Sequence, residues 1–343
     1  MKHLIFADPH AHAFTQFATG GEGKSNSRLL STLNVIDEIR EFAIAQDIKS
    51  IICLGDLFHS ANSFRFEHFN AIFECIRKFK ESGLELTLIL GNHDLIGRTA
   101  EHGSKLDTLR DVCDLMVHPT VYSASYQPFP IHMLPYEKDF KKAIDTLDAI
   151  PSDAIVLHHL DIVGADTGHG YVSEIGIGRD NFSRFKLSLG GHYHKKQMVL
   201  ENCFYIGCCC PQSFVEKDQY GCFVTLDDET LELIWYNTSA PVFREWDPEL
   251  TADCASFSSF HNSYVRVKAE PSSELEATLR QAGALRWIFV PEKRKQIVQQ
   301  RQSEIDVDSD LLSATATYVE MKGSHLNKAD LIRIGQDLVK ESL

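Results

Sequence analysis

The chain has 343 residues, 43% of them apolar, and a formal net charge of −14. That length suits one large domain with a full core plus a smaller one, and no run of about 18 apolar residues that would span a membrane is present. The charge excludes binding to nucleic acid by bulk attraction alone, although a bound cation would invert the sign locally and a partner subunit could supply a basic groove. The first residues run straight into an apolar strand without the basic start and cleavage site of a leader, so a cytoplasmic location is expected. Nine cysteines is an odd count for a disulfide framework, and several, such as Cys53 and Cys222, lie in apolar, strand-like settings, so they read as reduced, buried thiols. Cys208-Cys209-Cys210 would point to alternate faces of a strand and converge poorly on one ion.

In chain order, Leu4-Ile5-Phe6 is the first apolar strand, ending at Asp8-Pro9-His10. A Gly-rich polar loop follows, then Leu29, Leu30, Leu33, Ile36, Ile39 and Ala43 repeat at helical spacing. Ile51-Ile52-Cys53-Leu54 is a strand closing at Gly55-Asp56. Phe66, Phe69, Phe73, Ile76 and Phe79 mark a second helix, stopped by Ser82-Gly83. Leu86 to Leu90 is a strand closing at Gly91-Asn92-His93-Asp94, Ala154 to Leu157 one closing at His158-His159, and Leu187-Ser188-Leu189 one closing at Gly191-His192-Tyr193-His194. Short strands are expected at Gln197 to Leu200, Phe204 to Ile206, Cys222 to Leu226 and Leu231 to Tyr236. Residues 1–240 therefore predict an α/β domain built on a two-layer mixed sheet flanked by helices. Asn237 to Pro248 reads as a linker. Tyr264 to Val267, Ser273 to Ala282 and Trp287 to Val290 predict a small β-α-β unit within 250–300. A charged stretch then leads, within 301–343, to an amphipathic tail suited to docking.

The strand ends carry the chemistry. Strand ends in such sheets converge on one edge, where ligands bind. Carboxylates, an amide oxygen and imidazoles on one rim suit Mn, Fe or Zn rather than Ca. Two divalent ions about 3.5–4 Å apart bind phosphate oxygens, lower the pKa of a shared water and offset charge on the leaving oxygen. Asp56, alone at its strand end, suits a bridging position. Asp8 and His10 alternate, as do His192 and His194, so each pair can face one ion. Asn92 offers a neutral oxygen. His93 would point elsewhere, free to act as an acid or to stabilise charge on the phosphate, with Asp94 orienting it. Any one of these motifs alone would be a common turn or chance match; their joint occurrence in order carries the reading.

The same series resembles the calcineurin-like metallophosphoesterase superfamily, and within it the SbcD-type nuclease subunit of the SbcCD complex. His159-Leu160-Asp161-Ile162-Val163-Gly164-Ala165 and Tyr205-Ile206-Gly207 with Pro211-Gln212-Ser213-Phe214 resemble SbcD segments, so the likeness covers roughly residues 1–237. The resemblance implies one ion held by Asp8, His10 and His194 and another by Asn92, His159 and His192, with Asp56 bridging and His93 catalytic without being a ligand. His158 or His159 could fill the lone-histidine position; the Leu-x-x-Val-Gly run after it favours His159. It further implies two divalent cofactors, Mn above Mg, Fe or Zn, and exonuclease action on duplex DNA ends with endonuclease action on single strands. The implied partners are a coiled-coil ABC ATPase like SbcC and a second copy of the chain. Departures are Pro9, where a bulky residue is usual, and Cys208 to Cys210.

Other readings rank lower. A relaxed phosphate-loop pattern at Ala18 to Ser25 does not come off a buried strand; contact with DNA through Lys24 and Arg28 is the alternative reading of that loop. His12, His59 and His169 could contact substrate. No Gly-x-Ser-x-Gly elbow supports serine catalysis. The nearest rival is a phosphodiesterase acting on cyclic nucleotides or other small phosphodiesters. A protein phosphatase would carry Asp-Arg-Gly where Asp56-Leu57-Phe58 stands, and a non-catalytic scaffold predicts lost ligands.

Overall fold

The computed structural model describes residues 1–20, 25–59, 65–98, 103–116, 120–122, 129–168, 170–250, 260–291 and 327–334. The expected charged stretch, most of the tail, Lys24 and His169 lie outside them.

The elements run β1 (Lys2–Phe6), α1 (Ser27–Ala45), β2 (Ser50–Cys53), α2 (Phe66–Glu81), β3 (Glu85–Ile89), β4 (Asp114–Met116), β5 (Thr120–Tyr122), β6 (Ile131–Leu134), α3 (Phe140–Asp148), β7 (Ile155–His158), β8 (Leu187–Gly190), β9 (Gln197–Leu200), β10 (Cys203–Tyr205), β11 (Cys222–Asp227), β12 (Leu233–Asn237), β13 (Val242–Trp246), β14 (Ser263–Val267), α4 (Ser273–Gln281) and β15 (Arg286–Phe289). They form two six-stranded sheets, ordered β12-β11-β1-β2-β3-β4 and β5-β6-β7-β8-β10-β9, and a three-stranded sheet ordered β13-β14-β15. In the first, β1 to β4 are parallel, β11 pairs antiparallel with β1, and β12 pairs antiparallel with β11. In the second, β6, β7, β8 and β10 are parallel and β5 and β9 antiparallel. This is the mixed α/β architecture expected from the sequence.

Side-chain alternation explains why the parallel strands read as unbroken apolar runs. Ile5, Ile52 and Ile89 face Ile131, Ile155, Leu157 and Leu189 between the two sheets. Leu4, Phe6, Ile51, Cys53 and Leu88 turn outward against Leu29, Ile36 and Ile39 of α1 and Ile72, Ile76 and Phe79 of α2. Leu134 and Val156 meet Ala143 and Leu147 of α3 on the far side. Each buried aliphatic side chain contributes about 1.5–3 kcal/mol over exposure, and both faces of each central strand are used.

Three expectations are corrected. Leu30 and Phe66 are 47% and 85% exposed; the helices turn slightly, burying Val35 in α1 and Ile72 and Cys75 in α2 instead. The expected linker contains β13: Pro241 stands just before the strand, where its missing N–H removes no ladder bond. Arg28 is a buried cation rather than a surface contact, only 4% exposed.

Two compact units are drawn from the chain: Met1–Glu245 with Ala255–Val265 and Ala277–Trp287, and Trp246–Cys254 with Arg266–Glu276 and Ile288–Leu343. Both six-stranded sheets belong to the first. In the second, Lys268 N–H donates to Trp246 O at 2.8 Å and Val290 N–H to Val267 O at 2.8 Å, and residues 328–334 are helical. The eight cysteines among the described residues are free and buried, and burial pushes the thiols of Cys208, Cys209 and Cys210 up. No helix among the described residues is long and apolar enough to cross a membrane.

Candidate metal centre

The parallel ladder does not stop where β1 and β2 end. Asp8 N–H donates to Gly55 O (3.1 Å), His10 N–H to Asp56 O (3.0 Å) and Ala11 N–H to Leu57 O (2.8 Å). The two turns therefore run side by side and bring Asp8, His10 and Asp56 together. Both oxygens of Asp8 then accept the His192 backbone N–H, at 3.0 and 3.1 Å. Asp56 Oδ1 accepts the His93 N–H at 2.8 Å. Gly91 and Gly55 make this approach possible. A Cβ on Gly91 would sit 2.1 Å from Asp56 Oδ1, and one on Gly55 would sit 2.5 Å from His159 Nδ1.

Four of the residues singled out from the sequence hold left-handed backbone: Asp8 (φ 50°), His10 (44°), Asp56 (54°) and His192 (97°). Such conformations cost about 1–3 kcal/mol each and persist where surrounding structure over-determines them. Here the ladder extension and the Asp8 to His192 bonds do so.

The side chains meet in two groups. Asp8, His10 and His194 form one, Asp56, His159 and His192 the other, the donor atoms in each lying within 4.8 Å of one another. Asn92 joins the second, its Oδ1 being 3.2 Å from His159 Nε2 and 3.1 Å from His192 Nδ1. Asp56 Oδ2 lies 3.3 Å from His159 Nε2 and 3.6 Å from His10 Nε2, between the groups. A third group, His10, His59 and His93, shares His10 with the first. The cysteines join none of these groups.

Three imidazoles are held by their outer nitrogen. His159 Nδ1–H donates to Leu54 O at 2.6 Å. His192 Nε2 meets Asp161 Oδ1 at 2.8 Å, and His194 Nδ1 meets Glu216 Oε1 at 2.6 Å. Each bond fixes the tautomer and turns the other nitrogen's lone pair inward. His10 Nε2 and His194 Nε2 stand 2.9 Å apart. Two bare nitrogens at that distance repel unless a proton or a cation lies between them. The donors are imidazole nitrogen, carboxylate and amide oxygen, the set that divalent Mn, Fe or Zn accepts. The residues present therefore fit two divalent ions.

His158, the last residue of β7, and His159 just after it separate cleanly. His158 faces outward, its ring 5.1 Å from Phe182 and 5.9 Å from Tyr205, with Nδ1 accepting the Leu160 N–H. Burial, with His159 and His192 beside it, pushes its pKa down to about 3. His159 joins the cluster. Burial opposes its charge, but Asp56, Asp8 and the Leu54 carbonyl outweigh burial and raise its pKa to about 10. Asp56 is moved the opposite way: burial raises it, while His159, His10 and His93 hold it well below the carboxylate range. Asp8 is raised by burial, against His159 and His194.

The His93 ring belongs to neither of the two donor groups: its Nδ1 lies 2.5 Å from His59 O and its ring is edge-on to His10 at 4.8 Å. Asp94 does not orient it. The Asp94 carboxylate is fully buried and accepts N–H groups from Gly91 (3.0 Å) and Phe58 (3.2 Å), locking two site turns together. Burial and nearby Asp56 raise its pKa to about 7. Sequence reading gave no role to Asp161 or Glu216. Glu216 had a signal: Ser213-x-x-Glu216 is a capping box, formed here with Ser213 N–H and hydroxyl both 2.9 Å from Glu216 Oε2. A cleft of about 510 Å³ opens beside the cluster, lined by His192 and His194 together with Phe14, Thr167, Lys195 and Gln212.

The sequence pattern of the calcineurin-like phosphoesterase family matches residues 1–196. The chain belongs to the calcineurin-like phosphoesterases. Its fold and its candidate His/Asp ligand groups are those of a divalent-metal phosphoesterase. No curated protein matched the sequence. Among solved structures it is similar to a dimetal phosphatase from Danio rerio (10% identical, covering 69% of this chain and 96% of that one, TM-score 0.44). It is also similar to the phosphoesterase Yfce from E. coli (11% identical, 69% and 99%, TM-score 0.33) and to the nuclease MPE from Pseudomonas putida (15% identical, 68% and 87%, TM-score 0.28).

Proposed function

We propose that this phosphoesterase is a manganese-dependent DNA nuclease of the SbcD type. It would act as an exonuclease on duplex ends and an endonuclease on single strands, as a homodimer with a coiled-coil ABC ATPase partner. One ion would be held by Asp8, His10 and His194, the other by Asn92, His159 and His192, with Asp56 shared. Bound there, the ions would supply charge for the phosphate oxygens and acidify a water.

The chain's own groups do the rest. Asp56 keeps its negative charge despite full burial. Asp161, Glu216 and the Leu54 carbonyl orient three imidazoles. With Nδ1–H held by the His59 carbonyl, His93 in its imidazolium form would have Nε2–H left to give a proton to the leaving oxygen or to stabilise charge on the scissile phosphate. The carrying observation is the convergence of five separate turns on two donor groups beside an open cleft. The DNA assignment is supported by the SbcD-like segment after His159, in which Asp161 has a task at the site, backing His192. The charge of −14 fits a subunit that borrows DNA affinity from a partner.

A phosphodiesterase for small substrates would use the same donors, so one comparison decides. The purified chain with Mn, alone and with a coexpressed ATPase subunit, is given blunt duplex DNA, circular single-stranded DNA and an aryl phosphodiester. Degradation of both DNAs, faster with the partner, is expected. Turnover of the small ester with DNA left intact would overturn the nuclease reading and favour the rival.

A further inference from the structure

Arg28 and Gln212 lie outside the ligand set, yet both are buried beside it, 4% and 8% exposed. We propose that they form a positioning relay serving only the half of the centre built from Asp8, His10 and His194. The inference rests on the metal reading above and adds to it an unequal dependence of the two ions on one buried cation.

Arg28 forms no ion pair among the described residues. Its charge is met instead by carbonyl oxygens and ring faces. Nη1 donates to Gln16 O at 3.0 Å and Nη2 to Gln212 O at 2.8 Å. The guanidinium lies 5.0 Å from the Phe14 ring, 5.2 Å from Phe243 and 5.0 Å from Tyr264. A buried charge tolerates little displacement from such partners, so Arg28 is a fixed post to which Gln212 is tied.

Gln212 passes that position on in two directions. Its Nε2 donates to Pro9 O at 2.9 Å and to Cys210 O at 2.8 Å. Pro9 stands between Asp8 and His10, both in left-handed backbone, so this bond holds the carbonyl at the middle of the strained turn. On the other side Gln212 precedes Ser213, which caps the short turn carrying Glu216, the partner of His194 Nδ1. His10 is the ligand that needs this most. Its Nδ1 has no hydrogen-bond partner among the described residues, so its ring is placed by its backbone and by contact with the His59, His93 and His194 rings rather than by a bond at its far nitrogen. Neither Arg28 nor Gln212 hydrogen-bonds to Asn92, His159 or His192, whose outer contacts run to Leu54 and Asp161.

The test is Gln212→Glu, which keeps an acceptor for Arg28 and removes both donors, backed by Arg28→Lys, which keeps the charge and loses the fork. Manganese per chain is counted after gel filtration, affinities are measured by calorimetry, and melting of the metal-free protein is followed in parallel. Wild type should carry two ions. Gln212→Glu should carry about one, binding the other about tenfold or more weakly, while melting like wild type without metal. Combined with His194→Ala it should lose nothing further; combined with His192→Ala it should empty the chain. Arg28→Lys should shift affinity in the same direction by less, and it decides by the same criterion if Gln212→Glu does not fold. Retention of both ions at wild-type affinity overturns the relay. So does loss from both halves in step with a lower metal-free melting temperature, which marks a general structural role. A wild type that binds no manganese overturns the metal reading itself, and the relay with it.

Discussion

The two halves of the candidate metal centre are built from the same residue types but held in different ways. On one side every imidazole is anchored at its outer nitrogen, His159 by Leu54 O and His192 by Asp161. On the other, His194 is anchored by Glu216 while His10 Nδ1 has no partner among the described residues. A ring bonded at its outer nitrogen has its tautomer and lone-pair direction set before an ion arrives; the His10 ring, buried against His59, His93 and His194, has neither set by such a bond. The Asn92, His159 and His192 half should therefore bind first and hold longest, and the His10 half should be the one that exchanges.

The largest expected effect removes the distinction. Asp56 lies between the halves, so Asp56→Asn should cost both ions and lower hydrolysis by about ten-thousandfold or more, read from metal content and initial rates. Next comes a change that should leave both halves alone: His93→Leu should lose about 10²–10⁴ in rate while manganese per chain stays at the wild-type value. Loss of metal in that variant would make His93 a ligand and redraw the comparison. The halves are then separated by their supports. Asp161→Asn should weaken the His192 side and Glu216→Gln the His194 side, each by about 10–100-fold in affinity, resolved as two events by calorimetry. Equal effects of each variant on both ions would show that the halves are not independent.

The smallest effect is a pH slope. Burial lowers the charge preference of His159 and His194, but Asp56 lifts the first to about 10, and Glu216 and Asp8 lift the second above its ordinary value. Without metal, these raised values make proton-linked stability that is full below about 6.5 and is lost as pH rises toward about 10. A cation competes for the same nitrogens, so binding must release protons, and affinity must rise with pH across that window by about tenfold per unit for each proton released. Titrations in buffers of different ionisation heat would count the protons; a slope of zero removes the claim.

That these residues would meet was legible because each candidate ligand motif closes an apolar strand. Asp8, Asp56, Asn92 and His192 all follow buried β-branched or leucine runs, and the left-handed turns that aim them come directly after. The choice between His158 and His159 was legible only from the Leu-x-x-Val-Gly run beginning at Leu160; alternation along β7 separates the two rings in space. The supports were harder to read. Asp161 acts on a histidine 31 residues away and Glu216 on one 22 residues away, and a carboxylate's long-range partner leaves no local pattern. Arg28 was misread for a similar reason: its polar neighbours in sequence suggested a surface, while its burial comes from Phe243 and Tyr264, far along the chain. β13 escaped because Arg244 and Glu245 interrupt its apolar alternation and its partner strand comes about twenty residues later.

The close approach of Gly91 to Asp56 and of Gly55 to His159 has a practical consequence for reading other sequences of this kind. A single methyl group at either place would occupy room that a candidate ligand side chain needs, and would press on the backbone of the adjoining turn as well, on Asp56 N at 2.5 Å from Gly91 and on Gly91 N at 2.8 Å from Gly55. A relative that keeps all seven donors but carries alanine at one of these glycines should have its donor groups displaced and be inert. Counting ligands would score such a protein as active; inspecting two residues without side chains would expose it.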